Sequence, residues 1–335
     1  MFKNKTIFIT GGTGSFGKKF VEICLKKYKP KKIIVFSRDE LKQVEMQKQF
    51  QGTGKTQMRY FLGDVRDLPR LKLAMRDVDY VIHAAALKHV PVAEYNPFEV
   101  VKTNIIGSQN VIEACLNSKV KKVIALSTDK AAAPVNLYGA SKLTSDKLFI
   151  SANNFKGKQD IKFSIVRYGN VMASRGSVIP LFLKQSKSGY LSITDKRMTR
   201  FNITLNHGVE YVISCFKKMI GGELFVPKLP SYRITDLAKA IKSNVKLKVI
   251  GIRPGEKIHE ELITESDSLN ALEYKSEYII LPNTFGSNLT KKKYLKKTSG
   301  TKGKICDRDF KYTSKNNKHF LTVGEIKSLI KKIKS

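Results

Sequence analysis

The chain has 335 residues, which suits one large two-lobed unit or two domains that share a cleft. Hydrophobic residues make up 41% of it, and no run of about 18 uncharged apolar residues occurs, so the composition predicts a sizeable core and no membrane span. The formal net charge of +34 is spread along the chain without a helix-turn-helix, RNP or zinc-finger pattern, which argues against specific nucleic-acid binding.

The first 130 residues alternate strand-like and helix-like segments. Apolar strands are predicted at residues 6–10, 32–36, 58–62, 80–83 and 123–126, and helices at residues 16–26, 41–50 and 98–116. A further helix is predicted at residues 136–152. This alternation predicts an α/β fold with a doubly wound parallel sheet, because short apolar strands suit burial between two layers of helices.

Beyond about residue 170 the pattern loosens, and glycines and prolines recur. We predict a sheet domain over residues 1–170, to which some later segments return, and a smaller substrate-binding lobe over residues 171–285. Residues 286–335 form a basic C-terminal extension. Its part at residues 286–320 is rich in Lys, Ser, Thr, Asn and Gly, which predicts a loosely ordered excursion before a final helix at residues 323–333.

The first predicted strand runs into a glycine-rich turn. Its glycines follow a G-x-x-G-x-x-G spacing, a variant of the dinucleotide fingerprint of Rossmann-like sheets. Gly11 allows the tight turn, Gly14 lets the backbone approach a pyrophosphate, and Gly17 permits close packing of helix on strand. A plain glycine-rich helix cap is the alternative, but the placement between strand and helix favours a dinucleotide, whose anion the helix N-terminus attracts.

The end of the second strand bears on which dinucleotide is bound. Ser37 and Arg38 stand there before Asp39, which favours a ribose 2′-phosphate and therefore NADP over NAD. The alternative for Arg38 is a surface ion pair with Asp39 or Glu40. After the third strand, Asp64 is placed either to contact an adenine amino group or to cap the next helix.

Two short motifs carry acid–base chemistry. Tyr138 and Lys142 are four residues apart on a predicted helix, and a lysine cation beside a phenol favours the phenolate. Asp129 and Lys130 follow the fifth strand, at the sheet edge where such folds bind ligands. Together they indicate an alcohol oxidation coupled to removal of a proton and a leaving group. The alternative for Asp129 and Lys130 is a surface ion pair in a loop.

These motifs resemble those of a known family. The glycine loop, the small residues at 84–86 and the Tyr138–Lys142 pair are similar to the extended short-chain dehydrogenases/reductases. A finer resemblance, to the inverting UDP-N-acetylglucosamine 4,6-dehydratases of pseudaminic acid synthesis, rests on five further segments. They are SRDE at 37–40, AALKHVP at 85–91, STDKA at 127–131, RYGNV at 167–171 and RPGEK at 253–257. The resemblance covers about residues 5–285.

The resemblance implies a UDP-hexose that is oxidised at C4 by NADP⁺, loses water across C5 and C6, and regains the hydride at C6. Tyr138, assisted by Thr128 and Lys142, is implied in the oxidation, and Tyr138 is a candidate donor for reprotonation of C5. Lys130 is implied as the base at C5 and Asp129 as the acid at C6. Retaining relatives carry a glutamate after this aspartate, so Lys130 indicates the inverting type.

These roles set conditions on two pKa values. A lysine base must be neutral, which requires that burial or nearby cations such as Lys88 or Lys142 lower the pKa of Lys130. Asp129 must be protonated to act as an acid, which a dry site favours.

The resemblance also implies binding residues. The cofactor-binding set is Gly11, Thr13, Gly14, Ser15, Phe16, Gly17, Ser37, Arg38, Asp39, Glu40, Leu41, Lys42, Asp64, Val65, Ala84, Lys88, Tyr138 and Lys142. The substrate-binding set is Lys88, Asn170, Thr194, Arg200, Arg253 and Glu256, in which the two guanidinium groups suit a diphosphate. The alternative for the charged members is loop salt bridges. The histidines are not at metal-ligand spacing, so no metal is expected.

Other partners and functions complete the expectations. The resemblance implies a homo-oligomer, such as a hexamer, and the absence of a signal-peptide pattern and of paired cysteines indicates a cytoplasmic location. A UDP-sugar 4-epimerase would share the glycine loop and the Tyr138–Lys142 pair, but it needs no acid and base at C5 and C6. A non-enzymatic dinucleotide-sensing regulator is a third alternative, against which the intact pair argues.

Overall fold

Short, buried strands form the main sheet of the protein. The computed structural model describes residues 1–52, 54–172, 178–282, 294–295 and 303–334. Strand β1 (Thr6–Thr10) is buried along its whole length. The other strands are β2 (Lys32–Ser37), β3 (Gln57–Leu62), β4 (Tyr80–His83), β5 (Lys122–Thr128), β6 (Lys162–Tyr168), β7 (Asn170–Val171), β8 (Tyr190–Ile193), β9 (Thr199–Ile203), β10 (Leu224–Pro227), β11 (Ser231–Arg233), β12 (Lys246–Val249), β13 (Glu261–Ile263), β14 (Ala271–Glu273), β15 (Glu277–Ile280), β16 (Lys304–Ile305) and β17 (Tyr312–Thr313).

Helices connect the strands. They are α1 (Ser15–Ile23), α2 (Glu40–Phe50), α3 (Leu68–Ala74), α4 (Val90–Tyr95), α5 (Pro97–Val100), α6 (Gly107–Leu116), α7 (Leu137–Ser151), α8 (Val178–Gln185), α9 (Leu205–Lys218), α10 (Ile234–Ile241), α11 (Glu265–Ser268) and α12 (Val323–Lys334). Two π-helical turns, Cys24–Tyr28 and Val101–Ile106, continue α1 and join α5 to α6. The five predicted strands and the predicted helices are confirmed, whereas α3, α4 and β6 were not predicted.

The sheet has ten strands in the order β16-β14-β15-β10-β6-β5-β4-β1-β2-β3. From β3 to β10 every pairing is parallel, and beyond β10 the pairings are antiparallel. This is the predicted Rossmann-like, doubly wound arrangement. The chain reverses its direction of winding between β1 and β4, so a crevice opens outside their carboxyl ends, where ligands bind in such folds.

The later residues build a second, smaller core and also return to the sheet. The second core contains Phe182, Leu191 and Leu237, and α12 covers it with Ile326 and Ile330. Strands β10, β14, β15 and β16 extend the main sheet. The domain boundaries at residues 170 and 285 stay predictions.

Part of the basic segment at residues 286–320 is well packed. Residues 286–293 and 296–302 lie outside the described residues, but 303–320 contribute β16 and β17. Tyr312 is buried, Ser314 has no exposed surface, and β17 pairs with β13. The expectation of a loosely ordered excursion is therefore wrong for residues 303–320, because buried hydrogen bonds and an aromatic side chain hold them against the lobe.

Candidate active site

A cleft of about 1250 Å³ lies along the carboxyl edge of the sheet. It extends from the glycine loop after β1, past the end of β5, to the loop around Arg253. Among the predicted site residues, those that line it are Gly11, Thr13, Gly14, Ser15, Phe16, Ser37, Arg38, Asp39, Lys42, Asp64, Val65, Ala84, Lys88, Thr128, Asp129, Lys130, Tyr138, Lys142, Asn170, Thr194, Arg200, Arg253 and Glu256. Gly17, Glu40 and Leu41 do not line it.

The glycine loop is shaped by contacts that leave no room for side chains. Gly11 has φ +63°, and a Cβ atom there would lie 2.9 Å from the backbone nitrogen of Ala85 on the neighbouring strand end. A Cβ atom on Gly17 would lie 2.1 Å from the carbonyl oxygen of Gly12, so its absence lets α1 pack on the loop. Gly14 precedes α1 without a side-chain cap, which leaves the helix N–H groups for an anion.

Polar and charged groups at the ends of β2 and β3 occupy the far end of the cleft. Thr13 Oγ1 and Ser37 Oγ are 2.8 Å apart and buried. The Asp39 carboxylate accepts the Lys42 N–H at 3.0 Å and pairs with the Lys42 ammonium, so it caps α2. The side chain of Arg38 is 51% exposed and lies 3.5 Å from Asp64 rather than against Asp39.

Asp64 does not cap the next helix. Asp67 does so by accepting the N–H of Arg70 at 2.9 Å. The Asp64 carboxylate instead accepts the backbone and guanidinium N–H groups of Arg66. Partial burial raises the pKa of Asp64, but these bonds and the charges of Arg66 and Arg38 outweigh it, so the pKa is lowered overall. The capping alternative is therefore wrong, and Asp64 lies in the cleft as an anion.

A cluster of one half-buried lysine and two buried carboxylates lies beyond the end of β5. Asp129 and Lys130 form a single 3₁₀ turn, capped by the Thr128 hydroxyl. The Lys130 ammonium lies 3.1 Å from Asp129 Oδ1 and 3.2 Å from Glu260 Oε1. Asp129 is 1% exposed and Glu260 is 2% exposed. Within the described residues, the second oxygen of each carboxylate is buried without a hydrogen-bond partner.

The pKa values in this cluster follow from burial and mutual charge. Burial raises the pKa of the Asp129 carboxyl, and Lys130 only partly opposes it, which is the direction that an acid requires. Burial lowers the pKa of Lys130, but Asp129 and Glu260 raise it by more, so the ammonium is favoured. Arg200, not Lys88 or Lys142, is the cation that acts on Lys130. The expectation of a lowered Lys130 pKa is therefore wrong.

Helix α7 holds the Tyr138–Lys142 pair against this cluster. Asn136 caps the helix by accepting the Gly139 N–H at 2.8 Å. A Cβ atom on Gly139 would lie 2.2 Å from the carbonyl oxygen of Lys130, so a glycine lets the helix approach the turn. Tyr138 and Lys142 are both buried.

The cation that acts on the pKa of Tyr138 is not the one that the sequence spacing predicts. Burial raises the pKa of Tyr138 to about 12, while the charge of Lys130 and a hydrogen bond with Thr128 lower it. The cation that favours the phenolate is therefore Lys130 rather than Lys142. Burial lowers the pKa of Lys142, and Asp146 opposes this. The interpretation that Lys142 shifts the Tyr138 pKa is corrected accordingly.

The lobe contributes charged and polar groups opposite the cluster. Arg200 donates to the carbonyl oxygens of Thr199, Ile258 and Lys257, and its Nε lies 3.6 Å from Glu260 Oε1. Most of its donors are thus used within the protein. The more exposed Arg253 donates two hydrogen bonds to Glu256.

Three further predicted substrate residues line the cleft nearby. Thr194 is buried, and the Asn170 side-chain oxygen has no hydrogen-bond partner within the described residues. The surrounding walls desolvate the Lys88 ammonium and lower its pKa, although the residue retains exposed surface.

Glu260 is a site residue that sequence reasoning did not identify. Its N–H donates to Ser314 Oγ at 2.9 Å, and its carbonyl accepts the Ser314 N–H at 2.8 Å. Ser314 Oγ also lies 2.7 Å from Thr199 Oγ1. Glu260 and Ser314 are both far from Lys130 in the sequence. A glutamate in a polar stretch also belongs to no recognisable motif. The sole signal was its closeness to the RPGEK segment.

The sheet order, the glycine loop and the Tyr138–Lys142 pair define a chain with the short-chain dehydrogenase/reductase fold. Residues 7–282 match the family described as polysaccharide biosynthesis protein, and the chain belongs to this family. The inverting UDP-N-acetylglucosamine 4,6-dehydratase of Campylobacter jejuni subsp. jejuni serotype O:23/36 (strain 81-176) is 54% identical over 332 residues, 98% of each chain. The resemblance predicted from the motifs is confirmed.

Two further comparisons cover nearly the whole chain. A Rickettsia akari (strain Hartford) protein named UDP-glucose 4-epimerase is 42% identical over 338 residues, 98% of this chain and 96% of that one. The X-ray structure of Pen from Bacillus thuringiensis is 40% identical, with a TM-score of 0.88 over 100% of this chain and 99% of that one.

Metal-binding clusters and membrane-spanning helices are both absent from the described residues. No group of three or more His, Cys, Asp or Glu side chains in that part of the chain is placed to hold a metal ion. None of the helices described is both long enough and apolar enough to span a bilayer.

Proposed function

We propose that the protein is a UDP-N-acetylglucosamine 4,6-dehydratase that inverts the configuration at C5. The observation that carries the proposal is the turn of buried Asp129 and half-buried Lys130 beside Tyr138, at the sheet edge where ligands bind. The identity of 54% to a dehydratase of this name supports it. An acid and a base side by side at this position suit elimination of water next to a ketone.

The residues divide the proton transfers between them. During oxidation, Tyr138 accepts the proton of the C4 hydroxyl, and Thr128 assists by hydrogen bonding. Lys130 first loses a proton to solvent. The C5 proton, which the C4 ketone acidifies, then passes to the Lys130 amine, and Asp129 gives its proton to the C6 hydroxyl, which leaves as water. Tyr138 then returns a proton to C5 on the opposite face, which inverts that centre. A nicotinamide dinucleotide held at the glycine loop of Gly11, Gly14 and Gly17 would supply the redox chemistry of oxidation at C4 and reduction at C6.

We propose NADP as this dinucleotide. The glycine loop fits a dinucleotide, since Cβ atoms at Gly11 and Gly17 would collide with backbone. Arg38 is exposed at the cleft, while the Asp39 carboxylate is engaged in capping α2 and pairing with Lys42. A cation with free surface suits a 2′-phosphate better than an engaged carboxylate suits a 2′-hydroxyl.

Arg38→Gln tests the choice of dinucleotide. We expect NADP⁺ binding to weaken about 10- to 100-fold, as the loss of a charge-assisted hydrogen bond predicts, with NAD⁺ binding unchanged. Calorimetric titration with both dinucleotides measures this, and Arg59→Gln, an exposed arginine outside the cleft, is the control. Equal weakening toward both dinucleotides would contradict the NADP proposal.

We also propose how the substrate is bound, where in the cell the protein acts and that it forms an oligomer. Arg253 has the exposed guanidinium that would bind the UDP diphosphate. Arg200 lies near Glu256 and Glu260 and pairs with both carboxylates. A cytoplasmic location, a homo-oligomer such as a hexamer, and a first step in pseudaminic acid or related surface-sugar synthesis extend the family resemblance.

Incubation with UDP-N-acetylglucosamine and NADP⁺ tests the activity. We expect a product lighter by one water, with inverted C5 configuration by NMR. The full-length relative named UDP-glucose 4-epimerase makes epimerisation the second candidate. A product of unchanged mass with inverted C4 would favour that candidate and refute the dehydratase.

A further inference from the structure

The amino edge of the main sheet, opposite the cleft, is strongly basic. Strands β1 to β6 are all parallel, so their first residues share one edge, and the cleft lies along the other. An exposed cation lies within the four residues before each of these six strands. Together with a lysine of the last turn of α9, these cations include Lys3, Lys29, Lys31, Lys55, Arg76, Lys121, Lys158 and Lys217.

Backbone hydrogen bonds hold the strand starts in one row. The Lys31 N–H donates to the Lys5 carbonyl at 3.0 Å, and the Lys162 N–H donates to the Lys121 carbonyl at 3.0 Å. Between these two bonds, the Lys121 N–H donates to the Asp79 carbonyl at 2.8 Å. Because neighbouring strands are about 4.8 Å apart, the row from β3 to β6 is about 24 Å long. The cations therefore lie on one continuous surface.

The carboxylates of this edge leave most of its cations unpaired. Three aspartates lie on it, and each is paired with a different lysine: Asp77 with Lys119 at 3.7 Å, Asp79 with Lys5 at 3.1 Å, and Asp160 with Lys162 at 3.9 Å. None of these three lysines belongs to the exposed set named above. The edge therefore has a large excess of positive charge, which attracts an anionic partner.

Two exposed apolar side chains lie among the cations. Phe155, in the loop between α7 and β6, is 53% exposed, and Met1, two residues before Lys3, is 40% exposed. At a bilayer surface such side chains enter the boundary between headgroups and acyl chains, whereas a phosphate backbone offers them no apolar partner. Most of the cations are lysines, which act as point charges and lack the planar fork by which arginine reads bases. These features favour a lipid surface over a nucleic acid.

We infer that the amino edge of the sheet docks on a membrane surface that carries anionic lipids. Basic side chains and exposed apolar side chains together supply the two signals that stable attachment to such a surface requires. The protein lies on the bilayer in this arrangement, and its cleft opens at the far edge, toward dissolved substrates. The inference does not depend on the proposed function, because none of the residues that carry it lines the cleft.

Binding of the whole chain to vesicles tests the inference. We expect the protein to sediment with vesicles of equal parts phosphatidylglycerol and phosphatidylcholine at low salt, and to be released as salt is raised to about 0.5 M. Vesicles of phosphatidylcholine alone should not retain it. Each basic residue near an anionic surface strengthens binding about fivefold, so removing four should weaken partitioning about 10²-fold or more. The four substitutions are Lys31→Gln, Lys121→Gln, Lys158→Gln and Lys217→Gln.

A matched variant removes the same charge from exposed lysines of the smaller lobe. Its substitutions are Lys187→Gln, Lys239→Gln, Lys246→Gln and Lys248→Gln. We expect its partitioning to change by about twofold or less, since these side chains are remote from the proposed surface. Phe155→Ser tests the apolar contact separately, and we expect binding about three- to tenfold weaker with the same salt dependence. Thermal unfolding reports folding in every variant.

Several outcomes would overturn the inference. Absence of binding to the anionic vesicles is one, and an equal loss in both fourfold variants is another, because net charge rather than this edge would then govern binding. Tighter binding to duplex DNA than to the vesicles, unaffected by Phe155→Ser, would identify a nucleic acid as the partner instead. The vesicle measurement uses no substrate, so failure of the dehydratase assay would leave this inference standing.

Discussion

The glycine loop and the Lys130 cluster lie on the same sheet edge but are assembled in opposite ways. The loop is one continuous stretch from β1 into α1, and its shape depends on contacts between near neighbours and the adjoining strand end. The cluster joins a turn after β5 to Glu260, which is 130 residues later, and a serine from the C-terminal extension supports that glutamate. A local site can be predicted from its spacing, whereas a site built from distant segments requires the fold.

Lys130→Met is the substitution with the largest expected effect on this comparison, because it removes the cation at the centre of the distant cluster. We expect dehydration to fall by about 10³-fold or more, while NADP⁺ binding at the glycine loop survives. Product release by mass spectrometry and NADP⁺ titration measure the two parts separately. Lys156→Met is the control, since Lys156 is a partly buried lysine that donates to the Ile161 carbonyl outside the cleft. Full turnover would remove Lys130 from the mechanism.

Gly17→Ala changes the glycine loop, the local site of the comparison. Its new Cβ atom would lie 2.1 Å from the Gly12 carbonyl oxygen, so loop or helix must shift. Overpacking of this kind costs about 1–3 kcal/mol, and we expect NADP⁺ affinity and thermal stability to fall together. Gly208→Ala in α9 is the matched control, because its Cβ would make an ordinary 3.6 Å contact with the Ile203 side chain of β9. An unchanged dissociation constant would show that the loop tolerates the shift.

Ser314→Ala has the smallest expected effect and sharpens the distinction between the sites. It leaves the buried Glu260 N–H without its acceptor, at a cost of roughly 1–3 kcal/mol. We expect the melting temperature to fall by a few degrees and kcat to fall several-fold, with NADP⁺ affinity unchanged. The exposed Ser276 provides the control, Ser276→Ala. Loss of NADP⁺ binding alongside kcat would mean that the two sites are not separable.

The parts of the fold that the sequence predicts are those with strong local patterns. Strands β1 and β4 match their predicted bounds because each is a short apolar run between polar residues. Helix α4 escaped prediction because it is only six residues long and has a proline, Pro91, as its second residue. The packed C-terminal residues 303–320 were missed because their composition is polar, and a few buried side chains such as Tyr312 and Ser314 decide their order.

In the candidate site, too, the local motifs were predicted from the sequence and the contacts between distant residues were not. The spacing of Tyr138 and Lys142 and the order Asp129-Lys130 identify the residues, and the structure brings them together. The electrostatics were not predictable, because the pKa of Lys130 depends on Glu260 and Arg200, which neither spacing nor composition connects to it. The cation acting on Tyr138 is likewise Lys130, a neighbour in space.

The two hydrogen bonds between Ser314 and the Glu260 backbone bear on where a functional unit of this chain ends. The family match ends at residue 282, yet the serine that supports the Glu260 backbone lies 32 residues beyond that boundary. A chain ended at residue 282 would retain the glycine loop and lose the hydrogen bonds between Ser314 and the Glu260 backbone. The residues beyond the family match therefore help to hold the Lys130 cluster, and they pack with it as one unit.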